Sequence, residues 1–357
     1  MIEPKQHLKK VVRTEKVDRG GRIGLDRNER VTPLSHEHFQ KILATLTPDM
    51  LNGYPDVAPL MTRLEKLTEC PQDWISATCG SDAVIRHAYH AYVSAGDTVV
   101  FPSPTYAMYG VYAEIVDGRA IQIAYNSDRT LDVGAMLEAI KMKPRLVGIA
   151  NPDQPTGTVL PEQELRRIAA AARDVGALFL IDEAYFPAYP HSAISMVREF
   201  ENLAVARSFS KLWGMAGLRL GFVIARPPVI EALQKVRGAH EVNAMAVAIG
   251  SYMLDHPEIM QAYTREIEEG RGVLREFARR ENLGFPQCPT NFQLLELPPE
   301  MDGVKVVRDI KEAGFLVKGG YTEPSMRGCI RVTLDGPEMM GRFTMVLGQT
   351  LGLLRSN

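Results

Sequence analysis

The sequence has few cysteines, no excess of charge of either sign and no long apolar run. Only four of its 357 residues are cysteine and none forms a CxxC pair, which excludes a disulfide framework and favours a reducing cytoplasm. The 41 Lys and Arg residues balance 43 Asp and Glu residues to a net charge of −2, which disfavours binding to nucleic acid or to an anionic membrane. No segment approaches the roughly 20 apolar residues that span a bilayer, and the polar start MIEPKQHLKK is unlike an export signal. We therefore expect a cytoplasmic protein that acts on small molecules.

One pattern recurs between about residue 75 and residue 225. A short apolar run is followed by a cluster of turn residues and then by an amphipathic stretch of helical period, which is typical of a parallel α/β sheet. Runs rich in Val, Ile, Leu and Phe indicate strands that are covered on both faces. The clearest runs span residues 97–106, 146–157, 177–186 and 202–211, and the clearest helical stretch spans residues 164–177.

The pattern changes after about residue 230. Longer helical stretches come first, and weaker apolar runs follow at residues 290–297, 314–320 and 328–335. This order is typical of a smaller α+β domain. We predict a large domain at residues 45–240 and a small domain that combines residues 1–44 and 241–357.

A lysine stands at the end of the last apolar run of the large domain, in the segment Ser208-Phe209-Ser210-Lys211. Burial beside a strand lowers the pKa of an amine and makes it a nucleophile for an aldehyde. The hydroxyls of Ser208 and Ser210, with the guanidinium of Arg219, are suited to holding a phosphate dianion. Taken alone, the segment favours an ordinary surface lysine after a strand.

Asp182 and Tyr185 end another apolar run, ALFLIDEAYF. An enzyme that uses pyridoxal 5'-phosphate (PLP) needs a carboxylate beside the pyridine nitrogen to keep that nitrogen protonated, and Asp182 is the candidate. Tyr185 is a candidate hydrogen-bond donor to the 3'-oxygen of the ring. The alternatives are a helix N-cap for Asp182 and core packing for Tyr185.

Two further segments supply groups that suit such a cofactor. Gly80-Ser81-Asp82 opens a predicted helix, whose first amide groups form an anion site. Tyr106 follows a predicted strand, so its ring is a candidate for stacking on a flat ligand. A plain helix start and a packed tyrosine remain the alternative interpretations.

Together, and in this order along the chain, these segments resemble the class I and II aminotransferases, and among them the histidinol-phosphate aminotransferase group. The resemblance extends from about Leu25 to Arg331. It implies the α/β fold of the fold type I PLP-dependent transferases, in which helices flank a mostly parallel sheet and a smaller α+β domain is attached. It also implies PLP as the cofactor, a small-molecule amino donor and keto acceptor as substrates, and a homodimer with shared active sites.

The resemblance assigns roles by position. It implies that Lys211 binds PLP as a Schiff base, that Asp182 pairs with the ring nitrogen and that Tyr185 contacts the 3'-oxygen, which makes these three the expected catalytic residues. Tyr54 would reach the phosphate of the cofactor in the partner subunit. The other residues expected around the cofactor are Gly80, Ser81, Asp82, Tyr106, Gln154, Ser208, Ser210 and Arg219. Those expected at the substrate are Arg331, Lys318, Asn28 and Glu29, and no metal site is expected.

Three departures from the family pattern lie on the substrate side. Gln154 stands where the family usually has an asparagine that donates to the 3'-oxygen, and its amide reaches about 1.5 Å further. Lys318 replaces a second anion-binding arginine and lacks its bidentate fork. Residues 28–33 lack the small and aromatic residues that usually follow Asn-Glu. The amino donor and acceptor therefore stay open.

Several other functions share parts of this residue pattern. A decarboxylase of the threonine-phosphate type or a carbon-sulfur lyase would use the same cofactor residues. A non-catalytic PLP-binding regulator would carry a DNA-binding region, and the stretch before Leu25 is too short for a winged helix. The pairs His87 with His90 and His36 with His38 lack a third metal ligand, which favours a solvated helix face over a metal hydrolase.

Overall fold

The computed structural model describes residues 2–12 and 19–352, whose strands form three sheets. The strands are β1 (Ile23–Gly24), β2 (Ile75–Thr78), β3 (Thr98–Ser103), β4 (Arg119–Ala124), β5 (Leu146–Ala150), β6 (Leu178–Asp182), β7 (Leu203–Ser208), β8 (Gly221–Ala225), β9 (Phe292–Glu296), β10 (Phe315–Leu316), β11 (Lys318–Gly319) and β12 (Cys329–Thr333). The α-helices are α1 (His36–Leu43), α2 (Ala58–Thr68), α3 (Ser81–Tyr92), α4 (Met108–Ile115), α5 (Val133–Ile140), α6 (Glu162–Asp174), α7 (Pro227–Lys235), α8 (Ala244–Asp255), α9 (Pro257–Arg280), α10 (Gly303–Glu312) and α11 (Pro337–Thr350).

The largest sheet has seven strands in the order β2-β8-β7-β6-β5-β3-β4. Strands β4, β3, β5, β6 and β7 are parallel to one another, whereas β8 pairs antiparallel with both β7 and β2. The predicted mostly parallel sheet is therefore confirmed. Its carboxyl-terminal edge is where an open α/β sheet binds its ligands.

Alternation along β6 shows why these runs form buried strands. Leu178 and Leu180 belong to the core cluster that includes residues of α3, whereas Phe179 and Ile181 belong to the cluster that includes residues of α6. Successive side chains of a strand point to opposite faces, so a strand covered by helices on both sides must be apolar throughout. All five residues of β6 are buried, including Asp182 at its end.

A second core lies under the small sheets. Strands β11, β12 and β9 form an antiparallel sheet, and α9 packs against α11 beside it. The core cluster here includes Leu25, Ile310 and Phe343. The division into residues 45–240 and residues 1–44 with 241–357 stays a prediction.

Strand β1 ties the amino-terminal segment to this second core. It pairs in parallel with β10, and the carbonyl of Leu25 accepts a hydrogen bond of 2.8 Å from the amide of Thr333. These pairings hold residues 26–30 beside the carboxyl-terminal edge of the large sheet. Within residues 2–12 and 19–352, no helix combines the length and apolarity that a bilayer crossing needs.

Candidate active site

A cavity of about 590 Å³ opens at the carboxyl-terminal edge of the large sheet. Its volume lies within the 300 to 1,000 Å³ range typical of small-molecule sites. The predicted site residues that line it are Glu29, Ser81, Asp82, Tyr106, Gln154, Asp182, Tyr185, Ser208, Ser210, Lys211 and Arg219. Those that lie outside its wall are Gly80, Tyr54, Asn28, Lys318 and Arg331.

Lys211 lies at the centre of the chemistry that this cavity allows. Its Nζ donates a hydrogen bond of 3.0 Å to the backbone carbonyl of Arg27. Desolvation, followed by the positive charges of Arg331 and Arg219, lowers the pKa of the Lys211 amine to about 8. A sizeable fraction of this amine is therefore neutral near pH 8, as a nucleophile or a proton acceptor must be.

Asp182 provides a buried carboxylate at the end of β6 and is only 4% exposed. Its Oδ1 accepts a hydrogen bond of 3.1 Å from the amide of Ala184. Desolvation raises the pKa of Asp182 to about 7, against the hydrogen bonds from Ala184 and Ser81 and the positive charge of Lys211. A cationic group placed against Asp182 would favour its ionised form, so the position suits a protonated ring nitrogen.

The start of α3 forms an anion cradle with two glycines. Gly80 precedes the helix with a φ of 81°, and no side chain caps the first amide groups. A Cβ on Gly80 would lie 2.7 Å from Nη2 of Arg219, and a Cβ on Gly221 would lie 2.7 Å from the amide nitrogen of Ser81. Both positions must be glycine for the backbone and the guanidinium to approach this closely.

Hydroxyl groups complete the cradle. Arg219 Nη1 donates to the hydroxyl of Ser210 at 3.3 Å, and the amide of Ser210 donates to the hydroxyl of Ser208 at 3.1 Å. Free helix amides, hydroxyls and a guanidinium together are the donors that a phosphate dianion requires.

Two tyrosines fix the carboxylate of Asp82. Tyr106 donates to its Oδ1 at 3.2 Å and Tyr112 donates to its Oδ2 at 2.9 Å. The sequence pointed to Tyr106 but not to Tyr112, which lies in α4 among core residues. Because the Tyr106 hydroxyl is hydrogen-bonded to Asp82, the ring of Tyr106 is held in one orientation beside the cavity.

Asn28 acts through Tyr185. Its backbone has a φ of 57°, and its amide donates to the hydroxyl of Thr333 at 2.9 Å. Its side-chain Nδ2 donates to the hydroxyl of Tyr185 at 2.8 Å. The Tyr185 oxygen accepts this hydrogen bond, so the Tyr185 hydroxyl donates its own proton to a different acceptor. Burial raises the pKa of Tyr185, so that proton stays in place.

Sequence reasoning missed a buried carboxyl beneath the wall. Asp153 accepts hydrogen bonds from the hydroxyls of Thr105 at 2.6 Å and Tyr125 at 2.5 Å, and from the amide of Gln154 at 2.7 Å. Desolvation raises the pKa of Asp153 to about 7. This carboxyl links the loop that carries Gln154 to the loop that carries Tyr106.

Arg331 is buried behind the wall. Its Nη2 donates to the carbonyl of Asp26 at 2.7 Å, its guanidinium lies 5.3 Å from the ring centroid of Phe292, and its Nε is buried without a partner among the described residues. Lys318 is its neighbour across the β11–β12 ladder.

Tyr54 lies elsewhere on the surface. It is 80% exposed, and its ring stacks on that of His240 with centroids 3.9 Å apart.

Comparisons with known proteins show the family to which the chain is similar. A family model described as aminotransferase class I and II matches residues 34–342. The histidinol-phosphate aminotransferase of Symbiobacterium thermophilum is 33% identical over 335 residues, which cover 91% of this chain and 90% of the relative. Histidinol-phosphate aminotransferase 1 of Burkholderia lata is 31% identical over 339 residues, or 92% of each chain.

A solved structure shows the same fold. The histidinol-phosphate aminotransferase of Sinorhizobium meliloti, solved with pyridoxal-5'-phosphate, superposes with a TM-score of 0.86 over 99% of each chain, at 21% identity.

Proposed function

This chain belongs to the class I and II aminotransferases and is a PLP-dependent aminotransferase, and we propose that Lys211 and Asp182 are the residues through which it uses the cofactor. The observation that carries the proposal is that both residues line the same cavity. The pKa of the Lys211 amine is lowered there, and the carboxylate of Asp182 is buried. Burial penalises the charged forms of both side chains. A buried amine and a buried carboxylate that line the same cavity therefore indicate a functional site.

The residues of the cavity fit the chemical groups of PLP one by one. Lys211 supplies an amine for its aldehyde, and Asp182 supplies a carboxylate for its ring nitrogen. The free amides at the start of α3 and the side chain of Arg219 suit its phosphate. The close approach of Gly221 to the start of α3 supports this assignment, because it leaves the amide groups there uncovered by any side chain.

The proposed mechanism assigns each step to a residue of the chain. PLP, when bound, supplies a protonated ring that takes up the electron pair left by the departing α-proton of the amino donor. Lys211 would hold the aldehyde of the cofactor through its Nζ, and the same Nζ, when not bonded to the cofactor, would take up the α-proton of the donor and return it as the general acid. Asp182 holds the ring nitrogen in its protonated form. Tyr185, oriented by Asn28, donates to the 3'-oxygen.

We propose that the substrates carry an anionic group that Arg331 binds, as a carboxylate of an amino acid or a phosphate of an amino alcohol would. The free buried Nε of Arg331 supports this role. The names of the relatives favour histidinol phosphate as the first candidate donor. Lys318, the ladder neighbour of Arg331, and Gln154, in the cavity wall, depart from the family pattern, so other phosphorylated amino alcohols and keto phosphates belong in the same screen.

The test is a half-reaction with one substrate. The PLP-loaded protein is mixed with L-glutamate or L-histidinol phosphate alone, and the absorbance of the cofactor is followed while products are quantified. We expect one keto product and one pyridoxamine phosphate per site, and the return of the original spectrum when a keto acceptor is added. Release of carbon dioxide or ammonia without an acceptor would instead indicate a decarboxylase or a lyase.

We also propose a homodimer in which Tyr54 reaches the phosphate of the cofactor in the partner subunit. Its strong exposure and its position outside the wall of its own cavity support this role. Sedimentation should give twice the 39.6 kDa mass of the chain, and Tyr54→Phe should weaken PLP binding without changing that mass. A cytoplasmic location is proposed from the cysteine content alone.

A further inference from the structure

The largest sheet opens between β3 and β5. These two strands are parallel, but they pair only over residues 99–100 of β3 and 146–147 of β5, so the last three residues of each strand are unpaired with the other. Strand β4, which follows β3 in the chain, lies on the other side of β3. The strand order therefore reverses between β3 and β5, and ligands of open α/β sheets bind in the crevice at such a point.

The side chain of Asp153 bridges this crevice. Asp153 follows β5, and its Oδ1 accepts a hydrogen bond of 2.6 Å from the hydroxyl of Thr105, which follows β3. Its Oδ2 accepts a hydrogen bond of 2.5 Å from the hydroxyl of Tyr125, which follows β4. One carboxyl group therefore joins the loops that follow three neighbouring strands.

The loops after β3 and β5 each carry a residue of the cavity wall. Tyr106 stands next to Thr105, and Gln154 stands next to Asp153. The backbone amide of Gln154 also donates to Oδ1 of Asp153 at 2.7 Å. Because the strands below these loops are unpaired with each other, the hydrogen bond between Asp153 and Thr105 links Tyr106 directly to Gln154 where the sheet does not.

These hydrogen bonds account for a carboxylate at this position. Asp153 has no exposed surface, and burial raises its pKa to about 7 even though all three hydrogen bonds favour the ionised form. An asparagine would fill the same space without a charge to bury, but its amide group would bring two more donors to a place where three already converge. Only an ionised carboxylate accepts from all three.

We propose that Asp153 is a positioning residue for the cofactor, which fixes the width of the crevice between β3 and β5 and thereby the separation of Tyr106 and Gln154. The inference rests on the proposed function, in which PLP occupies this cavity. Tyr106 is the residue expected to stack on the ring, and Gln154 is expected near its 3'-oxygen, so a wider crevice would loosen the ring at both contacts. Asp153 acts through these two residues, because it lies behind the wall of the cavity and not in it.

The experiment measures how PLP is held and does not depend on turnover. Fluorescence titration of the cofactor-free protein at pH 8 gives the affinity for PLP, and the circular dichroism of the bound cofactor reports how rigidly its ring is oriented. Asp153→Asn should weaken PLP binding about ten-fold, as expected for the loss of a charge-assisted hydrogen bond, and should lose much of the circular dichroism signal. Thr105→Val removes the same link from the other loop and should act in the same direction. The double variant should be no worse than Asp153→Asn alone, because both changes break one bond.

Ile168→Val is the control for a loss of stability alone. It trims a fully buried side chain of α6 that does not line the cavity, so it should lower the thermal midpoint but change neither PLP affinity nor circular dichroism. An Asp153→Asn protein that matches Ile168→Val in both properties would overturn the proposal, and so would effects of Asp153→Asn and Thr105→Val that simply add. If Asp153→Asn does not fold, Thr105→Val carries the same prediction.

The outcome is separable from that of the proposed function. A wild-type protein that binds no PLP would overturn the proposed function together with this inference. A wild-type protein that binds PLP, with an affinity that does not depend on Asp153 or Thr105, would overturn this inference alone.

Discussion

Replacing Asp182 by asparagine should stabilise the cofactor-free protein at alkaline pH and weaken the PLP-loaded protein. Burial raises the pKa of Asp182 from 3.8 to about 7. The folded state therefore holds this proton more tightly than the unfolded state, and stability falls as the pH rises from about 4 to about 7. At about 1.4 kcal/mol per pK unit, this shift of about 3 units corresponds to a full penalty of about 4 kcal/mol above pH 7. Asparagine has no charge to desolvate and keeps the oxygen that accepts from Ala184.

Urea unfolding of both proteins at pH 4 and pH 8 measures this effect. Without the cofactor, Asp182→Asn should be more stable than wild type at pH 8, and the difference should vanish near pH 4. With PLP bound the order should reverse, because the variant loses a buried ion pair of about 3 to 5 kcal/mol. The prediction is refuted if the cofactor-free variant has no higher free energy of unfolding than wild type at pH 8. It is also refuted if the variant is stabilised equally with PLP bound.

Three further outcomes follow from the geometry of the cavity. The rate at which cofactor-free protein captures PLP should rise about ten-fold from pH 7 to pH 9 and then level off, because the neutral fraction of Lys211 follows a pKa of about 8. Stopped-flow absorbance measures this rate, and a rate that keeps rising above pH 9 would contradict the prediction. Gly221→Ala should lower the free energy of unfolding by about 1 to 3 kcal/mol and weaken PLP binding, because its Cβ would lie 2.6 Å from the carbonyl carbon of Gly80. Gly238→Ala, with nothing within 4 Å, should leave the denaturation midpoint unchanged. Tyr185→Phe should raise the pKa of the bound chromophore by about 1 to 2 units in a spectrophotometric titration, since the 3'-oxygen loses a donor worth about 1.5 to 3 kcal/mol.

The central sheet was predictable because strands that are buried on both faces appear in the sequence as continuous apolar runs. The apolar run at residues 177–186 contains β6, and the run at residues 202–211 contains β7. Both end in polar residues that a parallel sheet brings to one edge. The same reasoning placed Asp182 and Lys211 near each other, and both line the one cavity.

The supporting contacts of the site were not predictable, because they join segments far apart in the chain. Asp153 is 48 residues from Thr105 and 28 residues from Tyr125, and nothing in their local sequences marks the pairing. Tyr112 has the helical spacing of a core residue, which hides its hydrogen bond to Asp82.

The environment of Arg30 could not be predicted from sequence for a different reason. In the sequence it is one of 41 Lys and Arg residues. Only the structure distinguishes a guanidinium that is held in a cavity wall with a free buried donor from one that is paired or solvated.

A covalent bond between PLP and one amine is the central feature of the proposed function. Borohydride reduction of the PLP-loaded protein, followed by proteolysis and mass spectrometry, locates that bond directly. We expect one pyridoxyl group per chain, carried by Lys211, and none in Lys211→Ala. A pyridoxyl group on another lysine, or none after reduction of a protein whose PLP content has been verified, would contradict the account.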